Sequence, residues 1–232
     1  MDSPSSPTVA QMVLEAPASA AVFQRHRIDC CCAGDQTLEA ACAERGLEVA
    51  VVRGEIEAAR GERAASPPGD PRLLSTRELL ERIVGKHHGY LRRALPAVVP
   101  LAAKVARVHG GREPKLLALV TAVRELAETL EPHIDDEEQV LFPELAEGRA
   151  ARSDLRQMVE EHRTVAAILD RIHDASDGFR VPSWGCASYR ALASELRALD
   201  ADVRAHVHLE NHVLLPRFLS GAGGDARFSR TA

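Results

Sequence analysis

No apolar run in this sequence approaches the roughly 20 residues that a membrane-spanning helix needs. The opening segment, Met1 to Thr8, has no basic residue of the kind that begins an export signal. Both absences make the cytoplasm the expected location. Aromatic residues make up only 3% of the chain, and 29 Lys and Arg face 34 Asp and Glu for a formal net charge of -5. With no basic block interleaved with aromatics, nucleic acid is not an expected partner. Cysteines number five, and three of them are consecutive at Cys30, Cys31 and Cys32. Neighbouring residues cannot staple distant segments, so a secreted disulfide framework is excluded, and reactive or metal-binding thiols in a reducing compartment are expected instead. What is present is 232 residues, 45% of them hydrophobic, enough for one sizeable domain with a small companion.

Nothing between Ala16 and Ala59 alternates like a strand. This stretch reads as a small three-helix unit: a short helix through Arg25, a tight turn from Ile28 to Asp35 holding the cysteines, a second helix capped by Gly46, and a third from Glu48. The segment 60–72 combines charge with Pro and Gly and reads as a linker. Four long helical stretches follow, each with apolar residues at spacings of three and four. The first starts at Ser75, whose spacing to Glu78 is that of a capping box, and carries Val84, Leu91, Leu95, Val98, Ala102 and Val105. Pro96 and Pro100 should bend it. The second opens at Pro114 and carries Leu119, Val123, Leu126 and Leu130, then His133, Glu137 and Val140 on the same stripe. The third, from about Ser153 to Asp174, has His162 in its apolar seam. The fourth, from about Ser183 to Leu219, has Leu192, Leu196, Leu199 and Val203, then His206, Glu210 and Val213. Loops of moderate length predict antiparallel neighbours, hence an all-α fold with an up-down-up-down four-helix bundle. The tail 220–232 is Gly-rich and polar.

Inward histidines on four helices, two of them followed one turn later by a glutamate, are costly to bury unless something neutralises them, and metal is the expected answer. His133 and Glu137, like His206 and Glu210, are four residues apart and share a helix face. Nitrogen and carboxylate donors without thiolate suit iron, manganese or zinc. Four imidazoles with two carboxylates are too many for one tetrahedral zinc and fit two carboxylate-bridged metals, for which iron is the choice. In the first helix the register is open: His88 lies about 40° and His87 about 60° from the centre of the apolar stripe, on opposite sides. His109 is about 30 Å farther along that helix and should not reach the same metals. His208 and His212 point away from His206. Pro132, directly before a candidate ligand, should cost its helix one hydrogen bond and re-aim His133.

The run from His133 and Glu137 through Glu138-Gln139-Val140-Leu141-Phe142-Pro143, the Glu161-His162 pair, and His206 with Glu210 followed by Asn211 and Val213-Leu214-Leu215-Pro216-Arg217 resemble the hemerythrin-like HHE domain. Ahead of them, Ile28-Asp29-Cys30-Cys31-Cys32-Ala33-Gly34 resembles the Asp-x-Cys-Cys-x-Gly segment of the short ScdA-type domain. That domain precedes the bundle in the repair-of-iron-centres (RIC, YtfE/ScdA-like) di-iron family. The two halves match in order over residues 12 to 219, which divides the chain into an ScdA-type domain at 12–59, a linker at 60–72, a hemerythrin-like bundle at 73–219 and a tail.

The resemblance implies that His88, His133, His162 and His206 are terminal ligands and that Glu137 and Glu210 bridge two iron ions, with an oxo or hydroxo group completing the bridge. Counting back from Leu95-Pro96 also selects His88 over His87. Cys31 and Cys32 match the paired cysteines, candidate redox thiols that a nearby helix N-terminus would hold as thiolates. The implied function is repair of iron-sulfur clusters damaged by nitrosative or oxidative stress, by iron donation, nitric oxide handling or both. Its partners would be damaged cluster proteins and nitric oxide or oxygen species. An oxygen or nitric oxide sensor or carrier, and a nitric oxide reductase or peroxide-consuming enzyme, are the alternatives, so enzymatic turnover is left open. A ferritin-type store is disfavoured, since its Glu-x-x-His pairs are missing.

Overall fold

The computed structural model describes residues 6–62 and 69–219, without the side chains of 61 and 62. Residues 63–68 of the expected linker lie outside the described residues, as does the whole of the expected tail; of the rest, 60–62 end a helix and Pro71–Leu73 forms a 3-10 turn. Every regular element among the described residues is helical.

The N-terminal unit has one helix more than expected. α1 (Val9–Glu15) precedes α2 (Ser19–Arg25), α3 (Leu38–Arg45) and α4 (Val49–Glu62). The three-helix reading, with a boundary at residue 12, misses α1 although its start is written in the chain. Thr8 and Gln11 form a capping box, and Val9, Met12 and Val13 are buried. α3 begins behind Thr37, whose side chain accepts from the Ala40 amide, and ends at Gly46 in the left-handed conformation with φ 63°. Phe23, Ile28, Cys30, Leu38, Val52 and Ile56 join α1 in one core.

In the bundle, α5 (Thr76–Arg82) starts from a Ser75/Glu78 capping box and runs through a π-helical segment, Ile83–His88, into α6 (Gly89–His109). α7 (Lys115–Asp136) continues through a second π segment, Glu137–Leu141, into α8 (Phe142–Ala146). α9 (Arg152–Ala175) is uninterrupted. α10 (Ala187–Leu209) passes through a third π segment, Glu210–Leu214, into α11 (Pro216–Leu219). α6 packs on α7 and α10, and α9 on α7 and α10, which closes the ring of an up-down-up-down bundle. Pro96, Pro100 and Pro132 all sit inside continuous α-helix.

Two apolar layers fill the bundle. The larger includes Leu95, Leu126, Leu130, Val165, Leu169, Leu196 and Val203. The smaller caps the opposite end with Leu79, Ile83, Phe142, Met158 and Leu214. The inward polar residues lie between these layers. Val140, expected on the buried stripe, is 48% exposed, while Leu141 is buried. The π segment that starts at Glu137 widens the turn and rotates the register by part of a residue, a shift that a fixed 100° step cannot anticipate. Leu126 is fully buried. Replacing it, as Leu126→Ala, is expected to lower unfolding stability by about 2–5 kcal/mol in urea denaturation while leaving the helical circular dichroism of the folded state in place.

Candidate metal centre

Both glutamates predicted to bridge stand at the first residue of a π segment. The amide of Phe142 bonds the carbonyl of Glu137, and the amide of Leu215 bonds the carbonyl of Glu210, each five residues apart. A proline follows each glutamate six residues on, Pro143 and Pro216. Lacking an N–H, it removes one α-helical bond from the turn it ends, and the wider turn takes up the change. His88 closes the first π segment, Ile83–His88. The sequence signal was therefore the proline after each His/Glu pair.

Six side chains converge. His88, His162, His206 and Glu210 are fully buried, Glu137 is 1% exposed and His133 6%. They form two four-residue clusters that share both glutamates: His88, His206, Glu137 and Glu210 in one, His133, His162, Glu137 and Glu210 in the other. Each carboxylate splits its oxygens between the clusters. Glu137 Oε2 lies 3.4 Å from His88 Nε2, and its Oε1 lies 3.3 Å from His133 Nε2. Glu210 Oε1 lies 2.8 Å from His206 Nε2, and its Oε2 lies 3.1 Å from His162 Nε2. His88 Nε2 and His206 Nε2 are 3.1 Å apart.

The far side of three imidazoles is held by a group that must accept. His88 Nδ1 donates to Glu138 Oε1 at 2.9 Å, His133 Nδ1 to Glu161 Oε2 at 2.8 Å, and His162 Nδ1 to Asn211 Oδ1 at 2.8 Å. A proton on Nδ1 leaves the Nε2 lone pair turned toward the glutamates, the arrangement a metal ligand needs. Glu138 and Glu161 each also meet a further donor, from Arg92 and Gln157. His206 instead stacks on His87 with ring centroids 5.8 Å apart, and His87 Nδ1 meets Asp202 at 3.0 Å. The register question in the first helix thus has a physical answer: His88 enters the cluster, and His87 braces it from behind.

The donor set fits metal. His133 Nε2, His162 Nε2, both oxygens of Glu137 and Oε2 of Glu210 are buried without a hydrogen-bond partner. Orphaned polar atoms of this kind are costly, and here they all face one small space. In the metal-free protein protons partly substitute for cations. Burial pulls the His162 imidazole down, but the charge of Glu210, whose Oε2 lies 3.1 Å from Nε2, outweighs it and leaves it raised to about 9. His88 and His133 are raised likewise, against burial, chiefly by Glu137. Burial pushes the Glu210 carboxyl up, but the charge and hydrogen bond of His206 and the charge of His162 hold it well below the usual carboxylate range.

The cysteines lie beside this centre, on the seam between the two units. Cys30 packs in the N-terminal core and Cys31 in the bundle core. The carbonyl of Cys30 accepts from His208 Nδ1 at 2.8 Å, and the carbonyl of Cys31 from Asn211 Nδ2 at 2.9 Å and His212 Nε2 at 3.0 Å. His208 and His212 do point away from His206, and their role is to clamp the cysteine turn onto the ligand-bearing helix. Asn211 serves both sides, accepting from His162 and donating to Cys31. Sequence reasoning missed this, because only a fold brings the turn of residues 29–34 to residues 208–212. Gly34 is required there: a Cβ would stand 2.7 Å from the Cys30 carbonyl oxygen and 2.8 Å from Ala10 Cβ.

The expectation of a thiolate is corrected at Cys31. The helix after the turn begins only at Leu38. The hydrogen bond with Cys32, burial and the Asp29 charge push the Cys31 thiol well above its ordinary value, and burial with Asp29 pushes Cys30 up to about 12. Cys31 is therefore held as a neutral thiol. His109 takes no part in the centre and contacts Cys186 at 3.2 Å.

Comparison with known proteins agrees with this geometry. The hemerythrin HHE cation binding domain family matches residues 79–218, and ScdA_N, described as a domain of unknown function, matches residues 5–60. Iron-sulfur cluster repair protein YtfE of Enterobacter sp. (strain 638) is 31% identical over 214 residues, covering 91% of this chain and 96% of the relative. Proteins of the same name from Shigella boydii serotype 4 and Yersinia pseudotuberculosis serotype O:1b are each 30% identical. They cover 91% and 90% of this chain and 96% and 95% of their own lengths.

The protonated histidines set a pH dependence for the chelator-stripped protein. A raised His162 contributes stability fully below its ordinary 6.5, and the contribution is lost as pH rises through about 9. A depressed Glu210 contributes above its ordinary 4.5 and is lost as pH falls through its lower folded value. Metal-free protein is expected to be most stable near about pH 5–6 and to lose melting temperature toward pH 9. The variant His162→Gln should flatten the alkaline limb in the same thermal series.

Proposed function

This chain belongs to the hemerythrin HHE family and to its iron-sulfur cluster repair branch, and on that premise we propose that it repairs damaged iron-sulfur clusters with a pair of iron ions held in the bundle. The observation that carries this reading is the joining of two features by one residue, Asn211. Its side chain holds a ligand imidazole on one side and the paired-cysteine turn on the other. A gas sensor or carrier needs the first feature and has no use for the second.

His88 and His206 would hold one iron and His133 and His162 the other, with Glu137 and Glu210 between them. Two bound irons, bridged also by an oxo or hydroxo group, would supply exchangeable metal and a site for nitric oxide. The residues around them orient and shield: Glu138, Glu161 and Asn211 fix three imidazoles, and the layer of Leu79, Ile83 and Phe142 excludes water from one end. Access runs along another side. A cavity of 330 Å³ reaches His133 and Glu137 between Asp136, Glu144, Asp154 and Glu161. A cleft of one charge sign concentrates its counter-ion, so this is a path for a cation leaving or entering. No helix among the described residues is long and apolar enough to cross a membrane. We take the protein to act in the cytoplasm, on cluster proteins damaged by nitric oxide or oxidants.

The purified protein is expected to carry about two irons per chain. Iron-loaded protein incubated with a cluster enzyme inactivated by nitric oxide should restore its activity while losing iron in proportion. Repeated consumption of nitric oxide at constant iron, with an electron donor present, would replace this reading with a reductase, and reversible binding without repair would replace it with a sensor. Neutralising the cleft, as Asp136→Asn, Glu144→Gln and Asp154→Asn together, should slow iron removal by a chelator several-fold with the iron content at the start unchanged.

A further inference from the structure

Outside the bundle centre, Asp29, Cys31 and Cys32 bring three more ligand atoms within 4.8 Å of one another. Cys31 Sγ lies 3.7 Å from Cys32 Sγ and 3.1 Å from Asp29 Oδ1. These separations can be compared with the edges of a metal tetrahedron. Two thiolates on a tetrahedral zinc stand about 3.8 Å apart, and a thiolate and a carboxylate about 3.5 Å. The sulfurs are thus already placed for a shared metal, and the Asp29 oxygen stands within a few tenths of an ångström of that edge from Cys31 and within 4.8 Å of Cys32.

The triangle is built rather than accidental. Asp29 Oδ1 accepts from the Cys31 and Cys32 amides, each at 2.9 Å, which folds the carboxylate back over the two thiols. The carbonyls of Cys30 and Cys31 are tied down by His208, Asn211 and His212. Gly34 lets the turn close. No fourth donor joins the group among the described residues, and Asp29 and Cys30 line a cavity of 420 Å³ between the two units. Sites that keep one position open exchange ligands and metal, whereas structural sites are closed by four protein donors. Thiolate donors also select differently from the imidazole and carboxylate set in the bundle, favouring borderline and soft cations.

We propose that Asp29, Cys31 and Cys32 form a third metal site, which takes one divalent cation of the Zn2+, Co2+ or Fe2+ class and releases the two thiol protons to solvent. Two sulfur–metal bonds form as two S–H bonds are lost, with no change of oxidation state. Cys32 Sγ lies 3.5 Å from the backbone carbonyl of His162, so the site adjoins a ligand of the bundle centre. If the repair reading holds, this is where an iron pauses between the centre and a recipient. That assignment rests on the preceding subsection, whereas the metal site itself does not.

Cobalt(II) is the probe, added without oxygen to full-length protein already loaded with iron, in a Cys186→Ser background because Cys186 is exposed. The expected result is one cobalt per chain beyond the iron, with a sulfur-to-cobalt charge-transfer band. The Cys31→Ser, Cys32→Ser double variant should lose the band while keeping its iron. Loss of a partner one layer out from a metal costs 10-fold or more in affinity, so Asp29→Asn, which retains the fold of the turn, should weaken cobalt binding by at least about tenfold. No band in the starting protein, or a band that survives in both variants, overturns the site. A band that behaves as expected, with cluster repair unchanged in the double variant, overturns the pausing role alone.

Discussion

Burial of two carboxylates amid four imidazoles is the constraint on which the rest of this molecule depends. Glu137 and Glu210 are almost wholly removed from water, and each divides its two oxygens between two pairs of histidines. Such a group is tolerable only if positive charge is supplied, by metal in the loaded protein or by imidazolium in the stripped one. Everything close by serves that requirement. The apolar layers above and below keep out solvent, Glu138, Glu161 and Asn211 fix which imidazole nitrogen is free, and the π segments at Glu137 and Glu210 place a carboxylate where a regular turn would not.

The N-terminal unit is joined to this centre through the backbone of its cysteine turn. His208, Asn211 and His212 come from the same stretch of chain as Glu210, and all donate to carbonyls of that turn. A second seam runs through Asp200, buried at 1%, which receives Arg204 of its own helix and Gln24 of α2, while Arg204 also reaches Asp170. Arg27 pairs with Asp174 at 2.7 Å. The carbonyls of Cys30 and Cys31 are used in this attachment, while the sulfurs of Cys31 and Cys32 are left for chemistry. The joining of the units is thus specific enough to hold the thiols in one place beside the cluster of histidines and glutamates.

The bundle was legible in the sequence because its signal is local. Apolar residues at spacings of three and four are a property of each helix alone, and His162 or His206 stands out by interrupting such a stripe. The pairing of two clusters through shared glutamates followed from the number of donors and from the resemblance to the HHE domain. Three kinds of feature were not legible. The π segments alter the step per residue, so Val140 was assigned to the wrong face. α1 was overlooked although Thr8 and Gln11 announce it, since a seven-residue helix shows too little periodicity to stand out. The state of Cys31 was not legible because it depends on its hydrogen bond with Cys32, on burial against the bundle and on Asp29, not on the dipole of the helix that follows.

Crystals of the iron-loaded protein, measured for anomalous scattering at the iron edge, test the central claim most directly. Two peaks should appear, one between His88 and His206 and the other between His133 and His162, with Glu137 and Glu210 contacting both. A single peak, or metal bound without either glutamate, would contradict it.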